Sequence, residues 1–473
     1  MTGTAWDAIV IGSGFGGAVT AARLARGGMR VLVIERGPWW GPAAADHALT
    51  DGRPLPRGLL GSRKLLRNVR TVRPARDWMF NRDGLYEIHR FAAMTVLSGS
   101  GVGGGSHVYA GIQRQPAPSF WSAFPPELTA REMSPHFERV QDVQRPAPSP
   151  TSALTERIVP STLRRAGMTI ERPALAIDWN ACKRCGLCVL GCTHGAKTTL
   201  DLTYLLAATT AGACIRPLSE VARIEQCTNG FQISGMDHRT GTPFVLRGER
   251  LVVAAGTLNT ARLLFTARDR DRSLPAISPA LGRNFSGNAD YPILVRRTPA
   301  AEPSSGALVN TAAQAGPTDP YYVDADIPIP VASAALRRAA GRYRLVVGMG
   351  SDGSHASLTL RRRVIAAEAG RHHELPLYDQ MDADAAAVRR NGRGAIRSVR
   401  RPPGKLVSAH PLGGATIAAS AADGVVDHGG RVSGYRRLYV ADGSLLPAAP
   451  GVPPSLTIAA LAERQASMML QEG

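Results

Sequence analysis

The sequence predicts an α/β protein: a discontinuous dinucleotide-binding domain that carries an inserted α+β substrate domain built on an antiparallel sheet. Three observations carry this prediction. A strand, a glycine turn and a helix open the chain; strand-turn-helix patterning returns near Leu251 and again near the carboxy terminus; residues 286–400 between them read as separate short strands.

The opening unit has the clearest physical content. Trp6 to Ile11 is a short, mostly apolar run suited to a buried parallel strand, and Gly12, Gly14 and Gly17 follow at GxGxxG spacing, with Ser13, Phe15 and Gly16 completing the turn. Glycines let backbone amides approach a pyrophosphate. Alanines 18, 21 and 22 with Leu24 make Phe15 to Arg26 helical, so the anion would meet unpaired N–H groups at a helix amino terminus. A second apolar strand, Val31 to Ile34, ends at Glu35 and Arg36, where an acid can accept both hydroxyl hydrogens of an adenosine ribose. These residues alone leave FAD and NAD both open.

Further along, a polar, proline-bearing stretch covers residues 38–90, and a second glycine cluster runs from Ser98 to Ile112. Residues 115–150, with Trp121 and a short helix around Met133 to Val140, read as a surface excursion. Gly256, in LVVAAGTLNTARLLFTA, sits where a strand would end beneath a ligand, and YRLVVGM (343–349) and SLTLRRR (357–363) read as strands of the inserted sheet. The expected partition is 1–115, 181–285 and 405–473 for the dinucleotide domain, and 116–180 and 286–404 for the substrate domain.

Composition sets outer limits. The chain has 473 residues and exceeds what one core usually serves. Its net charge of +19 suggests polyanions, but only four of its 56 basic residues are lysines, an arginine excess that reads as coding bias. Runs such as Arg361 to Arg363 and Arg389, Arg390 are expected as solvated faces, and no specific nucleic-acid partner follows. No run of about 18 apolar residues appears, so no membrane span is expected. The first strand begins within a few residues of Met1, which argues against a signal peptide and for a cytoplasmic location. All six cysteines lie between Cys182 and Cys227. Cys182, Cys185, Cys188 and Cys192 stand at CxxCxxCxxxC spacing, which fits an iron-sulfur cluster better than zinc, with free structural thiols as the other reading.

Five motifs occur in order across nearly the whole chain: the amino-terminal fingerprint, GSGVGGGS (99–106), AAGTLNTARLL (254–264), HPLGGA (410–415) and YVADGSLLP (439–447). Together they resemble the glucose-methanol-choline flavoprotein oxidoreductases, nearest to the cholesterol-oxidase-like branch. The resemblance implies a Rossmann-like domain binding FAD, and oxidation of a hydroxyl group on a bulky, largely apolar sterol-, terpenoid- or polyketide-like molecule. Either oxygen or a redox partner would take the electrons. By the same resemblance Gly12, Gly14 and Gly17 hold the pyrophosphate and Glu35 the ribose, while Gly101, Gly103, Gly104, Gly105 and Ser106 lie along the diphosphate and ring edge. Val221 corresponds to the adenine contact and Gly256 to the nucleotide contact. Asp442 and Gly443 fall beside the ribityl chain, and Pro453, Pro454 and Ser455 at the pyrimidine end of the ring. Similar cysteine segments recur in that branch, and some related glucose dehydrogenases carry a cluster.

His410 is the expected catalytic base, because HPLGG holds it on a tight loop and an imidazole suits proton transfer near neutrality. His194, His428 and the pair His372, His373 lack such context and read as surface or turn residues. Three departures from the family pattern stand out. Pro453, in GVPPS, replaces the usual histidine or asparagine and offers no donor. Tyr109 stands where asparagine is common, and its hydroxyl is a candidate for reaching the site. His107 lies one residue away from where some relatives attach flavin, so covalent attachment is not expected. Asp326, or Asp324, in YYVDADIPIP resembles the acid that moves a proton in the branch. Pro453 keeps a second reading open, a flavin-dependent desaturase, double-bond reductase or isomerase; a redox-silent flavin scaffold is the third.

Overall fold

The computed structural model describes residues 6–40, 53–58, 61, 63–150, 157–298, 307–329, 333–368, 375–400 and 406–472. Three sheets frame one central cavity. The first is seven-stranded, in the order Cys214–Arg216, Val31–Ile34, Trp6–Ile11, Thr242–Val253, Gly230–Asp237, Ser219–Cys227, with Leu438–Val440 also paired to Thr242–Val253. Its left half is parallel and its right half an antiparallel meander. Ala8, Ile9, Val10 and Val31 to Ile34 are buried on both faces, as parallel strands require.

Small residues seat the first helix, Phe15–Arg26, hard against this sheet. A Cβ on Gly16 would lie 1.6 Å from the Ala441 carbonyl oxygen, and one on Gly17 would lie 2.1 Å from that of Gly12. Neither position tolerates a side chain. The last helix, Ser455–Gln471, packs on Phe15–Arg26 and on a third helix, Ala130–Gln144. Thr129 caps that third helix by accepting the Glu132 N–H, so the helix begins well before the expected Met133. Phe120, Trp121, Phe124 and Phe137 pack edge to face in the main core. Residues 120–140 are therefore not a surface excursion but a wall of the dinucleotide layer.

The second sheet is five-stranded, Leu406–Ser408, Met94–Gly99, Tyr86–Arg90, Leu66–Val72, Ala75–Met79. Three of its strands lie in the stretch that reads from sequence as polar and unpatterned. Charge inside the sheet hides them. Buried Glu87 pairs with Arg36 at 2.5 Å and faces Arg67 and Arg70; burial raises its carboxyl, but Arg36, Arg70 and His89 hold it well below the usual range.

The third sheet is six-stranded and wholly antiparallel: Ile396–Arg400, Tyr291–Arg297, Tyr343–Met349, Tyr321–Ala325, Val309–Gln314, Thr169–Glu171. The two-residue period sorts its side chains. Tyr322, Val346 and Ile293 pack toward the helix Leu375–Asn391 with Met381 and Val388, whereas Val323, Ala325, Leu345 and Val347 face the cavity. Residues 357–361, within the expected strand at 357–363, form a separate hairpin with Val364–Glu368, its turn carrying exposed Arg361 to Arg363. Among the described residues no helix is long and apolar enough to cross a membrane.

Candidate active site

A cavity of about 530 Å³ runs from the glycine turn of the first sheet to the apolar face of the third. Its dinucleotide end is built mainly from backbone. Gly12, Ser13, Gly14, Phe15 and Gly16 line it; beside them lie Glu35 and Arg36. A Cβ on Gly14 or on Gly256 would meet nothing within 4 Å and would project into free space, a cradle left open by missing side chains. Glu35 is buried and accepts the Ser13 hydroxyl at 2.7 Å and the Gly37 N–H at 2.9 Å. Val221 lines the same end with Glu220, Asn259 and Arg262, polar neighbours that the sequence reading passed over.

The middle of the cavity is bounded by Gly104, Gly105 and Tyr109 on one side and Asp442, Gly443, Pro453, Pro454 and Ser455 on the other. Asp442 receives the Gly256 N–H at 2.9 Å and the Thr260 hydroxyl at 2.5 Å on one oxygen, and Ser444 on the other. Burial pushes its carboxyl up despite those bonds. The hydroxyls of Ser100 and Ser455 are buried against the cavity wall without a hydrogen-bond partner among the described residues. With two helix amino termini, Phe15 and Ser455, at the cavity wall, these open donors fit a group that carries phosphates at one end and a polar ring at the other.

Four residues expected at the cofactor do not line the cavity. Gly17 instead permits helix-strand contact. Gly101 packs on Trp40, and Gly103, at φ 97°, accepts the Ser106 hydroxyl at 2.7 Å; Ser106 also takes the Leu200 N–H. These residues shape the turn from behind. His107 is buried away from the cavity, its Nε2 2.7 Å from the Val102 carbonyl oxygen. The Tyr109 hydroxyl donates to the Thr198 carbonyl at 2.9 Å, so only the ring of Tyr109, packed on Phe15, faces inward.

At the other end, Ile112, Leu308, Val309, Val323, Val347 and Met349 make an apolar chamber into which His410 opens. His410 is partly exposed to the cavity, and its Nδ1 lies 2.8 Å from Oδ1 of Asp290, whose side chain is 3% exposed. Asp290 also lines the cavity. The sequence reading missed it: 120 residues separate it from His410, and no spacing signal links them.

Asp326 is brought elsewhere. It pairs with Arg344, as does Asp324 at 2.9 Å, on the face of the sheet turned from the chamber. Since Val323 and Ala325 face inward, alternation sends Asp324 outward, and Arg344 holds both acids there. The expected metal site is not formed either. Among the described residues no group of three or more His, Cys, Asp or Glu is arranged to hold a metal ion. Cys182, Cys185, Cys188 and Cys192 are free thiols lining a separate small cavity, where Cys182 and Cys188 pack against apolar side chains and burial pushes both thiols up. Lys197 joins this loop to the cavity wall, donating to the carbonyls of Cys188, His107 and Tyr109 at 2.6, 2.7 and 3.1 Å. His194 is exposed and His428 contacts Arg464, while His372 and His373 lie outside the described residues.

Comparison with known proteins places the chain in a family. The two family models described as GMC oxidoreductase match residues 7–287 and 352–462. A cholesterol oxidase of Mycobacterium tuberculosis is 28% identical, covering 99% of this chain and 92% of that protein. A long-chain-alcohol oxidase of Arabidopsis thaliana is 25% identical over 96% of this chain and 65% of its own length. Among solved structures, pyridoxine 4-oxidase from Mesorbium loti superposes with a TM-score of 0.68 at 18% identity, covering 98% of this chain and 99% of that one.

Proposed function

The chain belongs to the GMC oxidoreductase family of FAD-dependent enzymes acting on CH–OH groups, and from that premise we propose that it oxidises a hydroxyl on a bulky, largely apolar molecule with His410 as the base. The observation that carries the reading is the position of His410 and Asp290 between the open glycine cradle and the apolar chamber. FAD, when bound, supplies the acceptor for the carbinol hydride. The chain supplies the rest. In this reading the Gly12–Gly16 turn and the helix behind it hold the diphosphate, Glu35 the ribose, Val221 the adenine, and Ser455 at its helix amino terminus the pyrimidine end of the ring. In the same reading residues 116–180 and 286–404 make up the substrate domain, except that 120–140 pack in the main core, and 1–115, 181–285 and 405–473 hold the cofactor.

The chamber walls of Val309, Val323, Ala325, Leu345, Val347 and Met349 favour sterol- or long-chain-like alcohols, because they exclude water and offer no side-chain hydrogen-bond partner to a polar substrate. Relatives named for cholesterol and for long-chain alcohols support the same class. A double-bond isomerase would need an acid free to shuttle a proton across the substrate, and Asp326 is committed to Arg344 outside the chamber. Alcohol oxidation is therefore favoured over isomerisation.

Anaerobic mixing with sterol, terpenoid and long-chain alcohols is expected to bleach the flavin band with at least one of them. His410→Ala should slow bleaching by about 10²- to 10⁴-fold, the usual worth of a general base, without loss of bound flavin. A panel that leaves the flavin oxidised throughout overturns the reading.

A further inference from the structure

Residues 286–290 run between the two loops that close the active site and grip both. Ser286 exchanges backbone hydrogen bonds with Leu412 at 2.9 and 3.0 Å, and the Ser408 hydroxyl donates to the Gly287 carbonyl at 2.9 Å. The Asn288 side chain accepts the Gly451 N–H and donates to the Val452 carbonyl, both at 3.0 Å. Asp290 completes the grip. One of its oxygens takes the Ala409 N–H and the other faces His410 Nδ1, each at 2.8 Å. Asn288 and Ala289 hold left-handed backbone, with φ of 58° and 46°, a conformation that side-chain-bearing residues avoid. Buried Asp352 stabilises it by accepting the Ala289 N–H and the Ser286 hydroxyl. A segment held this firmly gives Asp290 a fixed direction.

On the reading of His410 as the base, we propose that Asp290 is the positioning residue of the proton transfer: it holds the neutral His410 ring with its proton on Nδ1, so that the Nε2 lone pair faces the chamber. The substrate O–H bond then breaks as the Nε2–H bond forms, and the imidazolium charge arises beside a buried carboxylate that compensates it. Pro453, which has no N–H and no polar side chain, offers this dyad no second donor at its own position.

The geometry predicts what the closest substitution does. Ala409 is a fixed backbone donor, so in Asp290→Asn the amide oxygen must face Ala409 and the amide N–H₂ must face Nδ1. The proton is then forced onto Nε2, and the base presents a hydrogen where it needs a lone pair.

The test is ¹⁵N spectroscopy of the FAD-loaded protein labelled at histidine, with His410 assigned through His410→Gln and read with the ring neutral. Wild type is expected to show the Nδ1–H form, Asp290→Asn the Nε2–H form, and Asp290→Glu a return to Nδ1–H, all with unchanged flavin content. With an alcohol that bleaches wild type, kcat of Asp290→Asn should fall about a hundredfold while KM changes less than about threefold. A mixture of tautomers in wild type, or Nδ1–H retained in Asp290→Asn, overturns the proposal. The wild-type spectrum decides the tautomer even where a variant does not fold. Should the tautomers behave as expected while no alcohol reduces the flavin, it is the substrate reading that fails, not the role of Asp290 toward His410.

Discussion

The two ends of the cavity are built by opposite means. At the dinucleotide end the wall is backbone: glycines whose missing side chains leave the cradle open, and helix amino termini that present N–H groups. At the substrate end the wall is side chain: one face of an antiparallel sheet, with His410 and Asp290 at its margin. A backbone wall constrains residue type wherever a Cβ would strike backbone, as at Gly12, or fill the cradle, as at Gly14. A side-chain wall constrains only polarity and alternation, so many sequences could form it. The difference decides where each end is fragile and how visible each is before folding.

The largest effects belong to the backbone end. Gly12 has φ 99°, and a Cβ there would lie 2.2 Å from the Ala254 carbonyl oxygen, so Gly12→Ala should cost roughly 2–4 kcal/mol of stability and most of the bound flavin. Gly14→Ala separates the two losses. Its Cβ meets nothing in the protein, so apo stability should change by less than about 0.5 kcal/mol while FAD affinity falls at least about tenfold. Thermal melts of apo protein beside flavin content distinguish them; equal melting temperatures for the two variants would break the contrast.

At the side-chain end a substitution should act on the substrate alone. Ala325→Phe fills the chamber between Val309 and Leu345 and is expected to raise KM about tenfold for a sterol-sized alcohol, with flavin content unchanged. Lost flavin in that variant would mean that the two ends are not independent.

An effect independent of both ends concerns acid. Burial, with Arg139 and Arg464 nearby, pushes the His136 imidazole down to about 4 from an ordinary 6.5, under the last helix of the dinucleotide layer. The unfolded chain therefore binds a proton that the folded one refuses across that window. Stability should fall as pH drops from 6.5 toward about 4, and His136→Gln should flatten the slope of melting temperature against pH.

The same contrast accounts for what the sequence disclosed. The glycine turn, Glu35, Gly256 and the HPLGG loop were legible because each needs a particular residue type at a particular spacing. Asp290 was not, since a lone acid after an irregular stretch has no pattern until folding brings it to His410. The strands at 66–90 were hidden by arginines and a glutamate that become partners only across the sheet. The cysteine run misled for the converse reason: its spacing matches a cluster motif, yet among the described residues its thiols are not arranged to hold a metal ion, and Cys182 and Cys188 pack among apolar neighbours.

One strand ties chain order to time. Thr242–Val253 is parallel partner to both Trp6–Ile11, near the start of the chain, and Leu438–Val440, near its end. During synthesis the opening strand must wait for more than 230 residues before its central neighbour emerges from the ribosome, and the sheet is incomplete until the final strand and helix follow. Contacts this distant in sequence close slowly. On the proposed reading, Asp442 and Ser455 join the cofactor cradle late in synthesis, so flavin supply would act late in folding, after most of the dinucleotide layer has formed.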